Sequence, residues 1–450
     1  MQSFEKISEY SRYVCDQIRW KRAHPVIAEE IENHLVDQRD AYMAEGTDEI
    51  TATDHAIVQM GDPVMVGTQL DRTHRPKPQW GMILLTSGLV FMGIFIRAFI
   101  VYEGHRRGQL PSHLIASIIG LGLMVAAYFS DFTLIGKYPK TVYFSILALS
   151  TAVLIISRMP TGRAYYAGFM PLLFPLGFVA VLYVTRAKGY LGIILCGISF
   201  LLPAFISMLV PTASGLVLYT VTALIILGIA IVKGWFRVSK LFSCLLVYIP
   251  AAVTLLVTMM SNWGRLQIAL DPSIDPVSRG WIGTATKAIL DGSKLFGRGH
   301  IPAEYAMSGF PIPFIDTDFL LTWLIFNVGW IAFIIIMSVL LFFIIKGFIL
   351  CFKQKSALGL FVSVSVMLTF TMQVIIYVAA NLGFQLIAPI SLPLISYGKI
   401  ATCINLTLIG LMLSAFRTGN IVWDKSIGGI RKDGFVTWND GKLIISFSKK

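Results

Sequence analysis

From Gly81 to Phe416 the chain is a succession of apolar blocks separated by short polar stretches. A helix needs roughly 20 apolar residues to cross a hydrocarbon core of about 30 Å. Ten blocks near that length can be drawn: Gly81 to Val101, Leu114 to Ser130, Thr141 to Ser157, Phe169 to Thr185, Tyr190 to Val210, Gly215 to Val232, Leu241 to Met259, Phe319 to Ile345, Ala357 to Ala379, and Ile400 to Phe416. The pattern predicts an all-α, polytopic membrane protein with about ten transmembrane helices. Several blocks sit at the lower length limit, so their ends can shift by a few residues.

A polar segment, 1–75, precedes this region, 80–416, and a polar tail, 417–450, follows it. In the first segment VIAEEIENHLVDQRDAYMAEG spaces Ile27, Ile31, Leu35 and Tyr42 along one helical face, and Gly46 ends the pattern. A second helix is expected through TATDHAIVQMG, with Thr51 or Thr53 as N-cap and Gly61 as C-cap. Pro76 and Pro78 in RPKPQW, Arg75 to Trp80, stop any helix, and Trp80 suits an interfacial anchor. AEEIENHL, the Ala56 to Pro63 turn and the proline-rich exit together resemble the helical prefix module found before some Gram-positive membrane permeases. The module would be either a solvated bundle or a docking element. In the tail, GFVTWNDGKLIISF alternates around Asn439, Asp440 and Gly441, which predicts a hairpin capping the cytosolic side.

Composition agrees: 56% of residues are hydrophobic and 14% charged. The first eighty residues are too polar for a removable signal peptide, so the N-terminus is expected to stay in the cytosol. The formal net charge of +12 does not point to nucleic acid, because Lys and Arg lie mainly in short loops and tails beside apolar blocks. Lys137 and Lys140, Arg186 and Lys188, Lys233, Arg237 and Lys240, and Lys346, Lys353 and Lys355 fall on the expected cytosolic side. The opposing short loops carry fewer cations: Arg106 and Arg107, Arg158 and Arg163, and Lys399. Both termini are therefore expected inside and the long loop, 260–318, outside. Cys196, Cys244 and Cys403 lie in apolar blocks and Cys15 and Cys351 in expected cytosolic segments, so no disulfide framework or metal motif emerges.

Ionisable residues are almost absent from the ten blocks, Arg97 being the main exception, which disfavours an ion-coupled transporter. The polar chemistry collects in the long loop, and FIDTDFLLTWLIF, Phe314 to Phe326, sets Asp316 and Asp318 directly before an apolar run. Taken alone, these carboxylates suit helix capping, since the first N–H groups of a helix need acceptors.

The succession in the last 200 or so residues is more specific. Arg265-Leu266, Asp271-Pro272, Asp275-Pro276, LFGRG (Leu295 to Gly299), Thr317-Asp318-Phe319 and LPLISYG (Leu392 to Gly398) follow one another in order. In this the chain resembles the SEDS family (shape, elongation, division and sporulation; FtsW/RodA/SpoVE), ten-helix bacterial membrane enzymes that polymerise lipid II, the lipid-linked peptidoglycan precursor. The resemblance implies a peptidoglycan glycosyltransferase in the bacterial plasma membrane, partnered by a class B penicillin-binding protein, a transpeptidase. It places Asp318 at the family's essential acid, a base desolvated beside Phe319 and Trp323; Asp316 is assigned to capping or solvent on its place before the helix. Arg265, Lys294 and Arg298, with Lys287, would pair with the substrate's pyrophosphate, and Ser396 and Tyr397 would line the substrate cavity. No cofactor is demanded; a divalent cation balancing the pyrophosphate is compatible with the chemistry, although no ligand cluster marks a site.

The front half departs from the family. Where members carry Gln-Pro-Ser-Glu and a lysine, this chain reads GRAYYAGFMPLLFPL: Arg163 and Pro171 remain, the Glu falls on Leu173 and the Lys near Leu176. The Pro-Asp-Leu-Gly-Thr step is PTASG, Pro211 to Gly215; the paired glutamates fall on Phe326 and Asn327; the second glycine after Ser-Tyr is Lys399. These losses leave two alternatives beside the polymerase: a non-catalytic paralogue binding the precursor or a partner synthase, and a lipid II flippase.

Overall fold

A computed structural model describes residues 2–74, 76–103, 109–157, 165–210, 213–301, 312–418, 436–439 and 442–445. Arg75, Arg106 and Arg107, Arg158 and Arg163, Pro211, and Asp440 and Gly441, on which expectations above rest, lie outside the described residues. The chain divides into two compact units, Met1–Pro78 with Arg417–Trp423, and Gln79–Phe416 with Asp424–Lys450.

The first unit contains four helices, α1 (Gln2–Asp16), α2 (His24–Ala44), α3 (Glu49–Met60) and α4 (Pro63–His74). Its core gathers Ile7, Tyr10 and Val14 of α1 with Ile27, Ile31 and Leu35 of α2 and Ala56 of α3. The α2 residues are the expected apolar stripe; Tyr42, the fourth, is only half-buried. The N-cap of α3 is Asp48 rather than Thr51 or Thr53, because its carboxylate accepts from the Thr51 N–H at 3.1 Å. Thr53 lies a turn inside and bonds back to the Glu49 carbonyl. Gly61 ends the helix at φ 93°, a conformation that costs a Cβ-bearing residue more.

The second unit begins with α5 (Trp80–Tyr102) and α6 (Gln109–Phe129), then a short α7 (Leu134–Lys137) and α8 (Pro139–Ile156). A 3-10 segment, Tyr165–Leu173, runs into α9 (Phe174–Thr185), followed by α10 (Gly189–Leu209), α11 (Ala213–Val232) and α12 (Lys240–Ser261). Two shorter helices, α13 (Trp263–Leu270) and α14 (Trp281–Asp291), lead to α15 (Leu320–Val328), α16 (Trp330–Phe352), α17 (Ala357–Asn381) and α18 (Lys399–Thr418). Ten helices among the described residues are long and apolar enough to cross a membrane: α5, α6, α8, α9 with its 3-10 lead, α10, α11, α12, α16, α17 and α18. In the tail, β1 (Val436–Asn439) pairs antiparallel with β2 (Lys442–Ile445), Asn439 opposite Lys442.

α17 is apolar on almost every side and is buried accordingly, as a central helix must be. Its polar residues are matched: Gln373 and Asn405 of α18 exchange two amide hydrogen bonds, 2.9 and 3.1 Å. α12 is the opposite, with Ser243 its one buried residue among those described.

The apolar run expected as one helix from Phe319 to Ile345 is two. Gly329 adopts φ 106° and separates α15 from α16. The LFGRG segment threads into the break: Gly297 N donates to Val328 O and Gly299 N to Phe326 O, both 2.8 Å, while Trp330 N and Ile331 N donate to Lys294 O and Leu295 O at 3.1 and 3.2 Å. Backbone groups that a helix break would orphan are thereby satisfied. α16 then runs past Ile345 to Phe352, so Lys346 lies inside a helix rather than in a turn.

Candidate active site

The site begins with a glycine. A Cβ on Gly93 of α5 would stand 2.6 Å from the Leu394 carbonyl oxygen, so the segment 392–397 packs directly on the α5 backbone. That segment is a tight knot: Leu392 O accepts from Ile395 N and Ser396 N, and the Ser396 hydroxyl accepts from Leu392 N at 2.9 Å. One helical turn beyond Gly93, Arg97 therefore meets Tyr397, its guanidinium carbon 4.8 Å from the ring centroid. The His113 ring of α6 lies 5.8 Å from the same ring.

Arg97 also reaches Asp316. Its Nη1 and Nη2 lie 3.3 and 3.4 Å from Asp316 Oδ2, and each side chain is 2% exposed. The assignment of Asp316 to capping or solvent is therefore corrected: a carboxylate of this burial needs a cation, and α5 brings one from 219 positions away.

Asp316 and Asp318 belong to one turn. Phe314, at φ 58°, turns its carbonyl to accept from the N–H groups of Thr317, Asp318 and Phe319 at 3.1, 2.9 and 3.1 Å. Tyr397 N holds Asp316 O at 3.2 Å. From α17, the Tyr377 hydroxyl donates to Thr317 O at 2.6 Å, and Asn381 Nδ2 donates to Asp318 O at 2.8 Å.

The same two α17 residues cap α15. Leu320 N donates to the Tyr377 hydroxyl at 3.1 Å and Thr322 N to Asn381 Oδ1 at 3.1 Å, while Phe319, the N-cap residue, contributes no side-chain bond. Capping, the structural role that two aspartates before a helix suggest, is thus carried by Tyr377 and Asn381. The Asp318 carboxylate is left to other chemistry. It is half-buried, and its pKa is pushed up to about 6. Burial is the main cause; the Thr317 hydroxyl opposes it, and the Asp316 charge adds to it. Phe319 and Trp323 beside it are buried, and Trp323 packs edge-on against Phe99 at 5.7 Å.

The other sequence candidates are distributed around this turn. Arg265 is exposed on α13, and among the described residues no hydrogen bond or ion pair joins it to Asp318. Lys294, just before the LFGRG segment, and Arg298 on it are exposed, with the Arg298 guanidinium 5.7 Å from the Phe326 ring. Lys287 Nζ donates to Leu270 O at 3.3 Å. Ser396 is buried with its hydroxyl engaged in its own turn, whereas Tyr397 stands between Arg97 and His113. Asp271 and Asp275 accept from the N–H groups of Ser273, Ser278 and Arg279, which shapes the loop rather than a metal site. Among the described residues no group of three or more His, Cys, Asp or Glu is placed to hold a metal ion.

Sequence reasoning missed the roles of Tyr377 and Asn381, whose i, i+4 spacing at the end of an apolar helix was a usable signal. It noted Arg97 without giving it a partner, although a cation inside an apolar block asks for one.

The fold and this turn define a multi-pass membrane protein, helical throughout its membrane region, with an acid held just before the start of a helix. The chain belongs to the FtsW/RodA/SpoVE family of cell cycle proteins, whose sequence profile matches residues 89–420. Among similar proteins, the probable peptidoglycan glycosyltransferase FtsW of Trichlorobacter lovleyi is 24% identical over 169 residues, 38% of this chain and 44% of the relative. The peptidoglycan glycosyltransferase MrdB of Escherichia coli K12 is 23% identical over 150 residues, 33% of this chain and 40% of the relative. The chain spans about half the length of these curated relatives. A longer match, to the probable FtsW of Alteromonas naphthalenivorans, is 21% identical over 80% of this chain and 66% of the relative. In fold the chain is similar to a chain of a peptidoglycan synthase complex that coordinates polymerization and crosslinking (TM-score 0.58, 18% identity, 76% of this chain and 98% of the other). It is likewise similar to the rod shape determining protein RodA of Thermus thermophilus (TM-score 0.52, 16% identity, 76% and 97%).

Proposed function

We propose that the protein is a peptidoglycan glycosyltransferase that polymerises lipid II, with Asp318 as the general base. One observation carries this reading: the Asp318 carboxylate stands half-buried at a helix start whose capping Tyr377 and Asn381 perform instead. In the reaction Asp318 takes the proton of the acceptor sugar hydroxyl as that oxygen bonds to the donor's anomeric carbon. The bond from that carbon to the pyrophosphate breaks, and the lipid pyrophosphate leaves with the electron pair. Arg265, Lys294 and Arg298 are the cations proposed to meet its charge. Ser396 and Tyr397 are proposed to face the substrate cavity, Ser396 through the turn it closes.

The reading also places both termini in the bacterial cytosol and 260–318 outside, in agreement with the distribution of loop cations. A class B penicillin-binding protein is the proposed partner, because the similar synthase complex joins polymerization to crosslinking.

Purified protein, alone and with candidate transpeptidases, supplied with the lipid-linked disaccharide-pentapeptide tests the proposal. Glycan polymer from the wild type and none from Asp318→Asn supports it; polymer from both removes Asp318 as base. A second reading, a non-catalytic paralogue that binds the precursor or a synthase, is favoured by two buried apolar residues, Phe326, where the resemblance puts a Glu, and Leu176, near which it puts a Lys. The absence of polymer under every partner combination, with retained precursor binding, would select it.

A further inference from the structure

Burying an ion pair removes two charges from water, and a well-packed apolar pair is often as stable or more so. Arg97 and Asp316 nonetheless stand 2% exposed in the bundle interior. Stability alone does not account for them, whereas their connections do. Asp316 is held at two points: its carboxylate by Arg97 of α5 and its backbone carbonyl by Tyr397 N. Tyr397 in turn lies under the Arg97 guanidinium. α5, the 392–397 knot and the turn after Phe314 thus meet at one residue, two positions before Asp318, and Phe314 O ties Asp318 N into the same turn.

We propose that Arg97 and Asp316 are a positioning pair, fixing the turn on which Asp318 works and setting the charge that stands behind it. The proposal rests on the reading of Asp318 as base. Among the described residues, Asp316 and Thr317 act on that carboxylate from its own turn and Tyr377 of α17 feels its charge, while Asn381 of α17 holds the Asp318 carbonyl and Arg97 of α5 pairs with Asp316, with His113 of α6 beyond Tyr397. Replacing Asp316 by Asn removes an anion from the turn that carries Asp318 and keeps the Arg97 cation in place, and both favour ionised Asp318. The sign is therefore fixed, toward a lower apparent pKa.

The test uses the whole chain in detergent or nanodiscs, with Asp316→Asn and the double variant Arg97→Met with Asp316→Leu, which removes both charges of the pair together. With Asp316→Asn the acid limb of the pH–rate profile is expected to move to lower pH. With the double variant, melting as cooperatively as wild type, kcat is expected to fall roughly 10- to 100-fold with KM little changed, as for a misplaced catalytic group. Infrared titration of the Asp318 carboxyl, identified by its loss in Asp318→Asn, reads the same shift without turnover. A folded double variant with wild-type kcat, together with an unshifted carboxyl in Asp316→Asn, overturns the proposal. If Asp318→Asn still polymerises, the base reading falls instead, and the infrared titration alone decides whether the pair sets the environment of Asp318.

Discussion

Asn381 spans the start of α15: its Nδ2 donates to the Asp318 carbonyl at 2.8 Å while its Oδ1 accepts from Thr322 N at 3.1 Å. One amide thereby satisfies groups on both sides of the helix boundary, and the Thr322 hydroxyl donates to the Asn381 carbonyl at 2.9 Å. Asn381→Leu would orphan a buried N–H and a carbonyl together. Each unsatisfied group costs about 1–3 kcal/mol, so a marked drop in thermal midpoint in detergent is expected, with activity lost as the turn loosens.

Asp318→Asn should behave in the opposite way. The cap does not depend on its carboxylate, so the thermal midpoint is expected to stay near wild type while polymerisation falls by roughly 10²- to 10⁴-fold, the usual contribution of a general base. A collapse in stability comparable to that of Asn381→Leu would return Asp318 to a structural role.

The pH dependence follows from the same residue. Asp318 titrates in the fold at about 6, above the ordinary value of 3.8. The base form dominates above about 6, so kcat is expected to fall as pH drops through that value. For stability the sign is reversed from that of a salt-bridged acid. Between about 4 and 6 the folded protein holds a proton that the unfolded chain has released, so this group's contribution to stability declines as pH rises through the window. Asp318→Asn should abolish that slope, which chemical denaturation at pH 4.5 and 7 would measure.

Much of this was legible in the sequence and some was not, for identifiable reasons. The apolar blocks mark the spans because lipid imposes length and composition directly, and the order of motifs from Arg265 to Gly398 points to the acid. The break at Gly329 was hidden because α15 and α16 are equally apolar, and only the approach of LFGRG requires it. The Arg97 and Asp316 pair joins residues 219 apart, and no local pattern encodes such a meeting. Asp48 is the α3 cap, although Thr51 and Thr53 offer the same chemistry a few residues later, because only its carboxylate meets the Thr51 N–H.

Gly329 and Gly297 form a matched comparison. Both have positive φ, 106° and 82°, but a Cβ at Gly329 would overlap Leu295 O, whereas at Gly297 nothing lies within 4 Å. Gly297→Ala should cost about 1–2 kcal/mol from backbone conformation alone. Gly329→Ala carries that penalty together with a clash against backbone that is itself bonded to Ile331 N. It is expected to lower the yield of folded protein, with Gly297→Ala close to wild type in the same size-exclusion assay.

The Gln373 and Asn405 pair tests what holds the central helix to its neighbour. Both amides are buried, and each donates to the other's oxygen. In lipid the separated helices have no water to hydrogen-bond these groups, so a lone amide facing an apolar partner carries its full desolvation cost. Gln373→Leu and Asn405→Leu should each destabilise by about 1–3 kcal/mol. The double variant removes donor and acceptor together and replaces them with apolar surface, so it should recover most of that loss. Thermal midpoints of the four proteins give the coupling directly, and additive losses in the double variant would mean that the amides act through separate partners rather than through each other.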